Sequence, residues 1–279
     1  MFVELNYTIR RFRGQIIGWG LGLSLFSLLL VSMYSDIKEI DLTAFTDSYP
    51  QEMMAFFGES MLEFSTPHGY LDLEFFNFMI LIVGIFAVGN GANLIVKDEE
   101  EGLLDLVLAY PISRSMFFWG RVMGYVVVLM LILLVSWLSL VLPSGSASLD
   151  LSPGELLRPY WGLLGQLLLF GSFALFLSMM VPSSRVASMI TSGLLVANYL
   201  VQGLSNINQD LEKVVKYTPL QAYQGGYAIL GIEKDWLVII FEGAFLFFLL
   251  AWWRFLLRDL RVAGEGGWKL MELIPFRKN

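Results

Sequence analysis

Long runs without charged residues dominate the pattern of hydrophobic and polar positions along this chain. The uncharged runs cover 14–35, 75–96, 122–149, 159–184 and 186–209, and Glu242 alone interrupts 236–253. A helix needs roughly 20 apolar residues to cross a hydrocarbon core of about 30 Å. The pattern therefore predicts an all-α integral membrane protein whose six spans lie near 15–35, 75–96, 122–142, 160–181, 187–204 and 236–256.

The distribution of basic residues predicts how these spans are oriented. If the N-terminus is cytoplasmic, the inner segments hold 13 of the 18 Lys and Arg residues and the outer loops hold five. Because cytoplasmic loops are enriched in Lys and Arg, this bias places both termini in the cytoplasm. Residues 1–14 are expected to form an amphipathic helix at the membrane surface, and 257–279 a cytoplasmic tail. We expect a single transmembrane domain over 1–279, which passes several times through the plasma membrane.

Composition removes several classes of function. Only 15% of the residues are charged, against about a quarter in soluble domains, which argues against a soluble fold. The net charge of −7 argues against a nucleic-acid partner. With no cysteine and one histidine, thiolate and multi-histidine metal sites are excluded, so no metal site is expected.

Small residues at four-residue spacing mark places where helices can approach closely. They occur as Gly14, Gly18 and Gly22 in the first span, Ala87 and Gly91 in the second, and Gly120 and Gly124 in the third. The spacing predicts close packing, either between spans or between subunits.

The connection between the second and third spans is the most informative stretch. It reads Lys97-Asp-Glu-Glu-Glu-Gly-Leu-Leu-Asp-Leu-Val-Leu-Ala-Tyr-Pro-Ile-Ser-Arg114. Asp98 is expected to cap a short amphipathic helix, because acidic residues suit the positive end of a helix. Pro111 would end that helix, and Ser113 would begin the next. The alternative is a solvated acidic loop.

This stretch resembles the loop signature of ABC-2-type transporter permeases, Glu-x-x-x-Gly-Thr-Leu-Glu-x-Leu-Leu-x-x-Pro-(Ile/Val)-Ser-Arg. The segments Tyr217-Thr-Pro-Leu-Gln-Ala-Tyr223 and Phe255-Leu-Leu-Arg-Asp-Leu260 are similar to two further stretches of that family. Leu103 departs from the family, which often has Thr there.

The resemblance implies a dimer of six-span subunits, formed with a second copy or a paralogue, that is clamped onto separate ABC ATPase subunits. It implies that the loop between spans two and three is a coupling helix, and that ATP and Mg²⁺ bind the partner. The implied coupling residues are Glu100, Glu101, Gly102, Leu103, Leu104, Asp105, Pro111 and Arg114. The chain itself has no Gly-x-x-x-x-Gly-Lys-(Ser/Thr) phosphate loop.

Polar residues inside the spans are candidates for lining a transport pathway. They are Asn90 and Asn93 in the second span, Asn198 in the fifth and Glu242 in the sixth. The alternatives are bridges between helices for the amides and an interfacial position for Glu242.

Three functions compete at this point. The first is the permease of an ATP-driven exporter. The second is a membrane sensor or structural assembly subunit without transport of its own. The third, an intramembrane enzyme, lacks paired carboxylates in the spans and a His-Glu-x-x-His motif, so no enzyme activity is expected.

Overall fold

The computed structural model describes residues 1–37, 50–57, 63–104, 112–145 and 149–257, apart from the side chains of 51–53 and 209. Six of its helices are long and apolar enough to cross a membrane. We label them in chain order α1 (Phe2–Ile37), α2 (Pro67–Glu100), α3 (Arg114–Ser144), α4 (Pro153–Ser178), α5 (Ser184–Ser205) and α6 (Lys234–Leu257). The six predicted spans are therefore confirmed, each at the place in the chain that the apolar runs indicate.

Residues 2–14 differ from the sequence-based expectation. They are the first part of the continuous 36-residue helix α1 rather than a separate surface helix. At 1.5 Å per residue this helix is about 54 Å long, which exceeds the hydrocarbon core. Glu4, Thr8 and Phe12 lie one above the other on its buried face. This packing favours a straight continuation over a turn along the membrane surface.

Polar caps fix where the later helices begin. Ser113, Ser152 and Ser183 each have extended backbone geometry and accept a hydrogen bond from a first-turn amide of α3, α4 and α5, respectively. Ser152 also forms a reciprocal capping box with Glu155. The predicted helix start at Ser113 is confirmed.

Shorter elements fill the connections. They are the helices Gln51–Phe57 and Gln209–Val215, the 3₁₀ turns Pro219–Ala222 and Gly225–Ile229, and a π-helical turn Asp72–Phe76 within α2.

Helices α2 and α4 form the centre of the bundle. In their most apolar segments 67% of residues are buried, against 22–39% in the other four helices. A side chain at Gly91 would collide with the backbone of Gly171. Tyr125 of α3 donates its hydroxyl to the carbonyl of Ala87 at 2.9 Å. The close approach predicted at Ala87 and Gly91 is therefore a contact with α4 and α3.

The other small residues divide into two groups. A Cβ on Gly120 or Gly124 would lie 2.7 Å or 2.5 Å from the Cβ atoms of Glu4 and Thr8, so these glycines let α1 pack closely on α3. A Cβ on Gly14, Gly18 or Gly22 would meet nothing within 4 Å among the described residues. That glycine row lies on the exposed face of α1.

Candidate functional site

The described residues of the 97–114 stretch lie beside the N-terminal part of α1. Arg11 Nη1 donates to Asp98 Oδ1 at 2.6 Å. The last turns of α6 reach the same end of the bundle, where Trp252 Nε1 donates to Ser115 Oγ at 3.2 Å. We call this the Asp98 end. Both ends of the described chain therefore lie on one side of the bundle, as an even number of spans requires.

Four charged side chains form an ion network at the Asp98 end: Glu4, Arg11, Asp98 and Arg121, of which Arg11 is only partly buried. Arg121 Nε lies 3.0 Å from Glu4 Oε2, and its Nη2 lies 2.7 Å from Asp98 Oδ2. The side chains of Asp98 and Arg121 are each 3% exposed, and that of Glu4 is 9% exposed. Two positive and two negative charges compensate each other, which is the condition for burying them. The network connects α1, α2 and α3.

Two aromatic rings complete the surroundings of the Arg121 guanidinium. Its central carbon lies 4.4 Å from the ring centroid of Tyr7 and 5.1 Å from that of Phe117. A cation over an aromatic face is attracted by the ring quadrupole, most strongly where water is excluded. These contacts and the two ion pairs hold the side chain in one arrangement.

The expectation that Asp98 begins a helix is wrong. Asp98 lies in the last turn of α2, which ends at Glu100. Carboxylates are unfavourable at the negative end of a helix. Here the guanidinium groups of Arg11 and Arg121 neutralise Asp98 across the helix–helix contacts, and local sequence does not reveal such long-range partners.

Gly102 follows the C-terminus of α2 and has a left-handed backbone conformation. Its φ is +69°, the amide of Leu103 donates to the carbonyl of Asp98 at 2.8 Å, and the amide of Gly102 donates to that of Glu99 at 3.0 Å. This pair of bonds is the Schellman motif, in which glycine avoids the steric penalty of positive φ. The glycine after the acidic run therefore has a structural role as a helix cap.

Glu100 joins this end of α2 to the start of α5. Its Oε1 accepts from the Ser184 amide at 2.8 Å, and its Oε2 accepts from the Ser184 hydroxyl at 3.0 Å. The carboxylate thus satisfies one first-turn amide of α5 at the positive end of that helix. As a result, α5 is connected to the chain end that carries the ion network.

The other predicted coupling residues differ in accessibility. Glu101 is exposed, with Lys97 at 3.9 Å, and Leu103 is 42% exposed. Leu104 is 1% exposed and belongs to the core, and Arg114 is partly buried in the first turn of α3. Asp105 and Pro111, with the body of the predicted helix, lie outside the described residues.

The predicted pathway residues are only partly brought together. Asn90 and Asn93 line a cavity of about 280 Å³ that Arg11, Lys97 and Arg121 also border. Each amide donates to a carbonyl one turn earlier in α2, at 2.9 Å and 2.7 Å.

The remaining two candidates do not line this cavity. Asn198 donates to the Leu194 carbonyl of its own helix at 2.7 Å. Glu242 is exposed on the outer face of α6.

Sequence reasoning did not identify Glu4 as a residue of the site. It also did not identify Arg11 and Arg121 as the cations that pair with Asp98 and Glu4. A signal was available: Glu4 is the first acidic residue in the chain, and the next is Asp36. Glu4, Thr8 and Phe12 share one helix face at four-residue spacing, and on that face a carboxylate needs a buried partner.

Comparisons with known proteins bear on the whole chain. No curated protein matches it. Residues 10–260 match the profile described as ABC-2 family transporter protein. This match covers nearly all of the described chain, including α2, the ion network from Arg11 onward and the connection to α3. The chain belongs to the ABC-2 family of transporter membrane proteins.

Proposed function

We propose that the chain is the permease subunit of an ATP-driven exporter in the plasma membrane, with its termini in the cytoplasm. Two permease subunits, identical or paralogous, would form the translocation pathway and bind separate ABC ATPase subunits. The proposal rests on one observation. At the Asp98 end, α2 is joined to α1 and α3 through the ion network and to α5 through Glu100.

This attachment supports a coupling role for the 97–114 stretch. A displacement of residues 97–104 would act on α1 and α3 through Asp98, and on α5 through Glu100. Because packed interiors are dense and have low compressibility, such a displacement moves helices rather than being absorbed locally. Glu101 and Leu103 are both exposed and are suited to direct contact with a partner.

ATP and Mg²⁺ would act on the partner subunit. Nucleotide can shift the permease between two states only if the ATPase surface binds those states unequally. The coupling stretch would supply this difference by fitting the ATPase in one arrangement of the helices better than in the other.

The exposed glycine row supports assembly with a second subunit. Gly14, Gly18 and Gly22 leave the outer face of α1 without side chains at three successive turns. In hydrocarbon, such a face allows close backbone packing with another helix. A pathway between the subunits would receive polar groups from the cavity at Asn90 and Asn93, and Asn198 and Glu242 remain candidates for it.

The test uses Leu103→Asp, with Leu230→Asp as the matched control. Both leucines are exposed, at 42% and 65%, and Leu230 lies in the connection between α5 and α6. We expect Leu103→Asp to reduce co-purification of the ATPase subunit and stimulation of its ATP hydrolysis, and Leu230→Asp to leave both unchanged. Unchanged values for Leu103→Asp would refute the coupling role. Leu104 is unsuitable for this test because its burial would make Asp disrupt folding.

A further inference from the structure

A second cavity lies at the end of the bundle opposite the Asp98 end. It has a volume of about 180 Å³ and lies between the start of α2, the last turns of α5 and the connection before α6. Pockets for drug-sized molecules are typically about 300–1,000 Å³, so this one suits a small molecule or one headgroup of a larger molecule. We call it the Asp72 pocket.

The carboxylate of Asp72 is held in the wall of this pocket by an unusual backbone. Asp72 begins the π-helical turn of α2, a feature found frequently at functional sites. Its Oδ1 accepts the amide of Gly226 at 2.5 Å. Gly225 has a φ of +52°, and a side chain there would collide with the Asp72 carboxylate. The Gly225-Gly226 pair therefore admits the carboxylate to this position.

Aromatic rings line the same space. Phe56, Tyr199 and Tyr223 border the pocket, and the rings of Phe56 and Tyr199 pack edge to face with centroids 6.3 Å apart. Tyr223 donates its hydroxyl to the Phe76 carbonyl at 2.8 Å. Burial raises the pKa of Tyr223, and the Asp72 charge raises it further, so the phenol stays neutral. Neutral aromatic faces attract cations.

Acceptor oxygens and the charge of the lining agree with this preference. Gln202 Oε1 is buried and has no hydrogen-bond partner within the described part of the chain. The described residues that line the pocket include no Lys, Arg or His. A carboxylate, amide oxygens and aromatic faces together suit a ligand that is positively charged.

The geometry points to the Asp72 pocket as a binding site for the ammonium group of a small organic cation. Asp72 would supply the opposite charge, the rings of Phe56 and Tyr199 would supply cation–π contacts, and Gln202 would accept a hydrogen bond. The site goes beyond the proposed coupling function, and its occupancy can be measured without an ATPase.

The experiment compares radiolabelled choline with its neutral isostere 3,3-dimethyl-1-butanol on the purified protein in nanodiscs. We expect saturable choline binding, and competition by the isostere that is weaker by roughly tenfold or more, since the neutral isostere makes neither the cation–π contacts nor the charge interaction with Asp72. Equal competition by the isostere, or displacement of choline by glucose at similar concentrations, would overturn the assignment. So would the absence of saturable binding.

Variants locate the site. Asp72→Asn and Tyr199→Ala should each weaken choline binding at least about tenfold. Asp210→Asn is the control: the side chain of Asp210 is 90% exposed, and removing its charge should leave choline binding unchanged. Equal binding in Asp72→Asn and wild type would refute the site. If Asp72→Asn does not fold, the comparison of choline with its isostere on the wild type still tests whether the pocket prefers a cation. If Leu103→Asp gives the expected result in the coupling test but choline does not bind, the Asp72 site is refuted and the proposed coupling function is not.

Discussion

Arg121 and Asp98 form an ion pair in which Nη2 lies 2.7 Å from Oδ2 and both side chains are 3% exposed. Burying two charges costs several kcal/mol per ion, so the pair cannot be assumed to stabilise the fold relative to apolar residues. What it does is fix geometry, because either charge without its partner would be strongly unfavourable. The junction of α2 and α3 therefore has one favoured arrangement relative to α1.

Removing the Arg121 charge should strongly destabilise the protein. Arg121→Met would leave Glu4 and Asp98 facing each other without their shared cation, at an expected cost of about 3–5 kcal/mol. Thermal unfolding followed by tryptophan fluorescence in detergent measures this change. Arg10→Met, at an exposed position of α1, is the control and should change stability by under about 0.5 kcal/mol. Equal unfolding midpoints for the two variants would contradict the network.

A second prediction concerns the packing of α1 on α3. Gly124→Val would force its side chain into Thr8, and overpacking of this kind typically costs about 1–3 kcal/mol. Gly18→Val makes the same chemical change where the described chain leaves open space, so the protomer should unfold at nearly the wild-type temperature. If Gly18→Val were the more damaging change to the protomer, the packing described here would be wrong.

The left-handed cap at Gly102 gives a third prediction. Gly102→Ala should cost about 1–2 kcal/mol, because an L side chain is strained at positive φ. Gly145, which caps α3 with a φ of −70°, is the matched control and should tolerate alanine. Hydrogen–deuterium exchange should show faster exchange of the Leu103 amide in Gly102→Ala only. Unchanged exchange there would count against the Schellman cap.

Glu100 is expected to matter more for transmission than for stability. Glu100→Ala removes an exposed carboxylate contact and should lower stability by under about 1 kcal/mol. It should nevertheless speed amide exchange in the first turn of α5 and reduce stimulation of the ATPase subunit. Glu101→Ala, whose nearest ion partner is Lys97 at 3.9 Å, should leave exchange in α5 unchanged. Identical α5 exchange in both variants would refute the connection.

The sequence was sufficient to predict the six membrane-spanning helices, because the length of an apolar run determines whether a segment can span a membrane. It also predicted the start of α3 at Ser113, since a cap is a local interaction with amides two or three residues away. The same local rule failed at Asp98, whose partners Arg11 and Arg121 are distant in the chain. The role of Gly102 follows from a backbone angle, which residue type suggests but does not determine.

The candidate site was predicted less completely than the fold, because its contacts join residues that are distant in the chain. The acidic run led to the prediction of a coupling site in the 97–114 stretch, but only the packed structure separates Leu103, which is exposed, from Leu104, which is in the core. It also shows that Glu100 binds Ser184. Neighbours in sequence can thus have different roles, and these depend on which helix lies beside each side chain.

Cysteine cross-linking tests the central claim most directly. The natural chain contains no cysteine, so a thiol introduced at Leu103 is unambiguous. Our account predicts that Leu103→Cys cross-links to the ATPase subunit in membranes, with a yield that changes when ATP is added. It predicts that Tyr217→Cys, at a 90% exposed position in the connection between α5 and α6, does not cross-link to that subunit. Cross-linking from Tyr217→Cys and none from Leu103→Cys would contradict the account.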